Sequence, residues 1–309
     1  MSFKVPVIVC VFNRPALTKR LFAALAEVCP NQLFVVADGP RPGNDQDPAL
    51  CRDTIGAVEA GTTWGCRTAW NVAAVNLGCK RRIQTGLNWA FEQVERAIVM
   101  EDDCIPDNSF FPYCAELLER YAEDRRVYSI VGTSPLAGRG GRGFDFGTRS
   151  YVFSRYTLSW GWATWQRAWA MNDPDVEAWA ALRDTDWLAG VLRDPLAILR
   201  WRAVFDNAHA GFDTWDYAWT FSCWKNNALA IHPTANVVSN IGFGPDATHT
   251  WARTPFAELP TRPLTDPLRH PRDVERNHAY DEALEQAFFS GSRPELLAKV
   301  RQAIKARAR

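Results

Sequence analysis

The stretch Ala97-Ile98-Val99-Met100-Glu101-Asp102-Asp103-Cys104 limits the fold more than any other part of the chain. Four apolar residues rich in β-branching read as a buried strand, and the three carboxylates that follow cannot enter a core without a cationic partner. The strand must therefore end in a charged site. On an extended backbone successive side chains point to opposite faces, so Glu101 and Asp103 are expected on one side and Asp102 on the other. Three carboxylates with ordinary pKa values of about 4 make a hard oxygen site suited to Mg²⁺ or Mn²⁺ and to sugar hydroxyls. A solvated acidic loop is the alternative reading. Position favours the site, because open α/β sheets bind ligands just beyond the carboxyl ends of their strands.

Residues 5–12 read as a buried strand, broken by Asn13-Arg14-Pro15, with Pro15 suited to the first turn of a helix through about residue 28. Residues 33–37 repeat the strand and end in Asp38-Gly39-Pro40, a turn signal. A helix over about 48–60, a strand over 68–73, the polar cluster Asn76 to Arg82 and a helix over 80–95 lead to the acidic run. A helix to about residue 121 and a strand over 127–131 follow. Strands alternating with helices predict an α/β fold with a mostly parallel sheet flanked by helices. The strand ends at Asn13-Arg14, Asp38, Asn76 to Arg82 and Glu101 to Asp103 are then expected to share one edge. Gly138-Arg139-Gly140-Gly141-Arg142-Gly143 fits the pattern of a dinucleotide fingerprint, but no strand enters it and no helix leaves it, so it reads as a loop.

Thirty-five basic residues balance thirty-five acidic ones, so no net field favours nucleic acid. No stretch approaches the ~20 apolar residues of a membrane span, and no signal-length apolar run follows the N-terminus. A cytoplasmic protein is expected, compatible with peripheral membrane contact. Eight cysteines are scattered, several inside apolar runs, as reduced buried thiols would be. Of fourteen tryptophans, eleven lie between Trp160 and Trp251, which sets the second half apart.

In that half Trp162, Trp165 and Trp169 stand at helical spacing, a pattern that serves either a core stripe or a platform for sugar rings. Asp213 and Asp216 open an aromatic-rich helix, Asp213 as its expected cap, where apolar walls could raise a carboxyl pKa. Residues 237–250 form a glycine-punctuated loop suited to folding over a diphosphate, with His249 able to bring an imidazole to a metal.

Taken together, residues 5 to 250 resemble the GT-A glycosyltransferases, most closely the family of N-acetylglucosaminyltransferase I and its bacterial relatives. The specific parts are Leu77-Gly78-Cys79-Lys80, the Glu101-Asp102-Asp103 version of the metal motif, Gly161-Trp162, and Trp215-Asp216 in place of the family's Trp-Asp-Asp-Trp segment. Here one acid stands where the family has two in a row, so Asp216 and Asp213 both remain candidates for the catalytic base. The resemblance implies a Rossmann-like GT-A domain over 1–255, with a nucleotide-sugar half (1–135) and a Trp-rich acceptor half (150–255), followed by a C-terminal extension over 256–309.

By the same analogy Asp103 and His249 would hold Mn²⁺ or Mg²⁺, Asp102 the ribose, Glu101 the donor sugar and Asp38 the nucleobase. Asn13, Arg14 and Lys80 would join them around a nucleotide diphosphate sugar, most simply a UDP-sugar. Asp216 would act as base on a saccharide or glycolipid acceptor resting on Trp160, Trp162 and Trp215. The expected reaction is inverting, metal-dependent glycosyl transfer. Its rivals are a sugar nucleotidyltransferase, which ordinarily wants a glycine-rich basic first loop, and a noncatalytic carbohydrate-binding protein.

Overall fold

The computed structural model describes residues 3–137, 143–243 and 256–289, side chains 288 and 289 excepted. The chain opens with β1 (Val7–Val11), α1 (Pro15–Val28), β2 (Gln32–Ala37), α2 (Asp47–Gly61), β3 (Arg67–Val72), α3 (Cys79–Phe91) and β4 (Arg96–Glu101). Then come β5 (Cys104–Pro106), α4 (Phe110–Arg120), β6 (Val127–Val131), β7 (Tyr151–Ser154) and β8 (Trp162–Trp165). Short helices α5 (Gln166–Trp169), α6 (Trp179–Leu182) and α7 (Trp187–Val191) lead into α8 (Pro195–His209) and α9 (Asp216–Lys225). The described chain closes with β9 (Leu229–Pro233), β10 (Val238–Asn240) and α10 (His278–Phe289).

Eight strands form one sheet in the order β3-β2-β1-β4-β8-β6-β9-β7, and β5 and β10 form a two-stranded ladder beside it. β1, β2, β3, β4, β6 and β9 run one way, while β7 and β8 run against them. This is the mostly parallel α/β sheet that the alternation of elements predicts. Wholly apolar strands such as β1, VIVCV, form because both faces of the sheet are covered. Ile98 and Met100 pack with α1 and α4 on one face. Ala97 and Val99 pack with α3, α8 and α9 on the other.

The tryptophan half departs from its reading. Trp162 and Trp165 lie in a strand, not on one helix, and only residues 166–169 turn helical. A strand buried on both faces shows no alternation, so its tryptophans mimic a helical stripe by chance of spacing. The stripe serves the core, with Trp162, Trp165 and Trp169 all at most 3% exposed. The strand β8 from this half is inserted between β4 and β6. Beyond residue 256 the chain is largely irregular until α10, whose Tyr280 and Leu284 join the core. Of the C-terminal extension expected over 256–309, residues 256–289 are described.

Candidate active site

β1, β2 and β4 run parallel, so their C-terminal ends bring the turn after Val11, Asp38 and Glu101 to one edge. β8 runs the other way and pairs Trp162 with Val99, so the chain enters β8 at that same edge through Trp160 and Gly161.

At the end of β4 the expected alternation stops after Glu101. Asp102 and Asp103 leave the strand in a turn, and one guanidinium meets both: Arg14 Nη1 donates to Asp103 Oδ2 at 2.8 Å and to Asp102 Oδ1 at 3.3 Å. Asp102 and Asp103 therefore share a partner, whereas Glu101 follows Ala97 and Val99 towards α3 and α9. This corrects the pairing of Glu101 with Asp103, and the reason is that the backbone ceases to be extended. Burial, reinforced by Asp103, Asp102 and Asp216, holds the Glu101 carboxyl well above the usual carboxylate range. Burial also raises Asp102, against the opposing pull of Arg14.

Asp103 is held from its other side by β10. Asn240 Nδ2 donates to Asp103 Oδ1 at 3.1 Å, and Ile241 N donates to the Asp103 carbonyl at 2.9 Å. The backbone at 242 then passes so close that a Cβ there would lie 2.0 Å from Asp103 Oδ2, which only glycine avoids. The loop expected to close over a diphosphate thus leaves the acidic turn directly, and His249 within it lies outside the described residues.

Asp38 caps the end of β2 and pins the loop before α3, accepting from Gly39 N at 2.8 Å, Leu77 N at 2.9 Å and Asn76 Nδ2 at 2.9 Å. Burial raises its carboxyl, against the pull of those backbone bonds. Behind it lies Arg82, which sequence reading passed over although it stands in the Asn76 to Arg82 cluster. It is buried and donates to the Asn71 carbonyl and side chain. Asn13 and Lys80 are turned elsewhere: Asn13 Nδ2 donates to Asp47 Oδ1 at 2.9 Å, and Lys80 Nζ pairs with Asp175 at 2.8 Å.

Asp213 does not cap its own helix. Its carboxylate accepts from the backbone N–H groups of Cys79 at 3.0 Å and Lys80 at 2.8 Å, so it caps α3 from across the molecule. Gly78, at φ +80°, admits it where a Cβ would lie 2.7 Å from Asp213 Oδ2. Asp216 is the first residue of α9, accepts from Thr214 Oγ1, and raises both Glu101 and Cys79. Of the three tryptophans expected at the acceptor, Trp162 and Trp215 are buried and stacked on each other with centroids 5.4 Å apart. Trp160 is half-buried and meets Phe243 edge-on at 5.6 Å, beside the acidic turn.

Among the described residues no three His, Cys, Asp or Glu side chains are grouped to hold a metal ion by themselves. The fit to a divalent cation rests instead on the guanidinium that already sits against Asp103 and Asp102, a monovalent stand-in where a cation would be held. A metal here would draw its remaining ligands from a bound molecule such as a diphosphate.

Fold and site together define an α/β protein with carboxylates gathered at the C-terminal edge of its parallel strands. No protein-family model matches the sequence, and no curated protein does. Among solved structures, the chain is similar to a UDP-glucose pyrophosphorylase complexed with UDP-glucose, at 9% identity over 55% of this chain and 79% of that one, TM-score 0.30. It is similar also to 4-diphosphocytidyl-2C-methyl-D-erythritol synthase from Anaerococcus prevotii, at 11% identity over 68% and 85%, TM-score 0.33. HddC from Yersinia pseudotuberculosis matches at 8% identity over 53% and 77%, TM-score 0.31. Likenesses this low assign no activity. Among the described residues no helix is long and apolar enough to cross a membrane.

Proposed function

We propose that the protein transfers a sugar from a nucleotide diphosphate sugar, most simply a UDP-sugar, to a hydroxyl of a saccharide or glycolipid, with inversion. The observation that carries this reading is the division of carboxylates at the sheet edge. Asp102 and Asp103 share Arg14 at the turn between β1 and α1, while Asp216 stands at the head of α9 and acts on Glu101 together with them. A one-step displacement asks for this division, with the leaving diphosphate on one side of the anomeric carbon and a base on the other.

Asp216, at the head of α9, would take the proton of the acceptor hydroxyl. Asp103 would hold Mn²⁺ or Mg²⁺, which when bound supplies Lewis-acid stabilisation of the departing diphosphate. Asp38 and Asp102 would fix the nucleoside, Glu101 the donor sugar, and Trp160 with Phe243 would offer the acceptor an aromatic wall.

Nucleotidyl transfer is the second reading. It is the reading that the neighbours' names suggest, two of them being UDP-glucose pyrophosphorylases. Against it stands the turn from Phe12 to Arg14, which has no glycine and passes straight into Pro15 of α1. The test is to follow the phosphorus products. A UDP-sugar with a saccharide acceptor should release UDP, and UTP with a sugar 1-phosphate should release no pyrophosphate. The reverse result would replace the first reading with the second, and saccharide binding without nucleotide affinity would exclude both.

A further inference from the structure

Arg14 immediately precedes the chain's first helix, yet its side chain spans the acidic turn that begins almost ninety residues later, as the pairs 88 and 89 residues apart record. Its backbone is fixed: Pro15 follows at the first helical position, and the Arg14 carbonyl accepts both Thr18 N at 3.0 Å and Thr18 Oγ1 at 2.9 Å. A change of partners can therefore come only from the side chain. The three side chains are nearly enclosed, at 17% exposure for Arg14, 8% for Asp102 and 14% for Asp103. Among the described residues no other cation pairs with either acid.

We propose that Arg14 is a built-in counter-ion that competes with a divalent cation for Asp103, and that this competition couples metal binding to diphosphate binding. The inference rests on the proposed use of a nucleotide diphosphate. A metal arriving alone must separate Arg14 from Asp103 in an enclosed site where that pair is worth more than at a surface. A metal arriving with a diphosphate brings phosphate oxygens to which a planar guanidinium can turn, two bonds at a time. The metal alone therefore binds weakly, the two together bind well, and by linkage each raises the affinity of the other by one factor. Empty, the site keeps Asp103 paired and spares it stray divalent ions.

The probes are Mn²⁺ alone, followed by its electron spin resonance, and Mn²⁺ with UDP. Arg14→Gln removes the charge and keeps a polar side chain, and Arg14→Met removes the charge likewise if the first variant does not fold. Either should bind Mn²⁺ alone at least tenfold more tightly than the parent, whereas Arg14→Lys, which keeps the charge, should stay within about threefold of it. Saturating UDP should tighten Mn²⁺ binding to the parent by about 5- to 150-fold, the common range of such coupling, and by much less in the charge-removed variants. Mn²⁺ affinity in Arg14→Gln equal to or below that of the parent would overturn the proposal, as would coupling that survives the loss of the charge. A parent that neither binds UDP nor releases it from a UDP-sugar would defeat the glycosyl-transfer reading instead, and the Mn²⁺-alone comparison would still decide the role of Arg14.

Discussion

Asp213 accepts the backbone N–H of Lys80 at 2.8 Å across 133 residues of sequence, so one acid of the tryptophan half caps a helix of the first half. Losing such a cap costs about 1 kcal/mol and at most about 2. Asp213→Ala should lower the urea midpoint accordingly, and Asp213→Asn should recover part of the loss because an amide oxygen still accepts. Neither change should abolish turnover, since both carboxylate oxygens are already engaged.

Asp216→Asn should behave in the opposite way. Donor affinity is expected to hold, while turnover falls roughly 10²- to 10⁴-fold, the usual contribution of a positioned base. Product NMR should show the anomeric configuration inverted. If turnover survived in Asp216→Asn and vanished in Asp213→Asn, the base would have been placed one turn of chain too late.

Asp103→Asn removes charge while keeping size, and leaves Arg14 the Asp102 carboxylate. Calorimetry with UDP and Mn²⁺ should then show the metal-dependent part of the affinity gone. Binding as tight as in the parent would mean that Asp103 is not the metal ligand.

His232 makes a pH prediction remote from the site. It is fully buried, its Nε2–H donates to the Tyr156 carbonyl at 2.7 Å, and its Nδ1 accepts from the Tyr280 hydroxyl at 3.1 Å, an arrangement only the neutral ring satisfies. Burial lowers its pKa from 6.5 to about 4. The unfolded chain takes up a proton in that window that the folded chain refuses, so the contribution is whole above pH 6.5 and declines as the pH falls towards 4. The loss is on the order of 3 kcal/mol. The nearby carboxyls of Asp281 and Glu285 are shifted upward by burial and act in the other sense, so the imidazole is read as the difference between parent and His232→Gln. Acid unfolding curves of the same slope for the two would refute the assignment.

Trp160 and Trp162, two residues apart, should answer differently to alanine. Trp162 is 1% exposed, and its loss should cost about 3–5 kcal/mol of stability. Trp160→Ala should leave the thermal midpoint within a few degrees and raise the KM for the acceptor. A raised KM for the donor instead would move Trp160 to the other side of the site.

Much of this was legible in the sequence because it is local. Pro15 marks the start of α1, and the run into Glu101 marks both a strand and a need for a cation. What the sequence withheld is what distance supplies. That the cation is Arg14, that Asp213 caps a foreign helix, and that Asp102 and Asp103 turn together depend on contacts between segments 88 to 134 residues apart. The strand character of β8 was hidden for another reason: burial on both faces erases the alternation by which strands are recognised.

The insertion of β8 between β4 and β6 has a consequence for how the molecule comes into being. A ribosome that has released only the first 137 residues has made Arg14, Asp38 and the whole acidic turn, but β4 and β6 still lack the strand that joins them, and Asp103 lacks β10. The completed acidic turn is therefore a late product of synthesis. Two fragments divided near residue 140 should each be poorly folded alone and should gain structure only when expressed together, for the strand that completes the first is carried by the second.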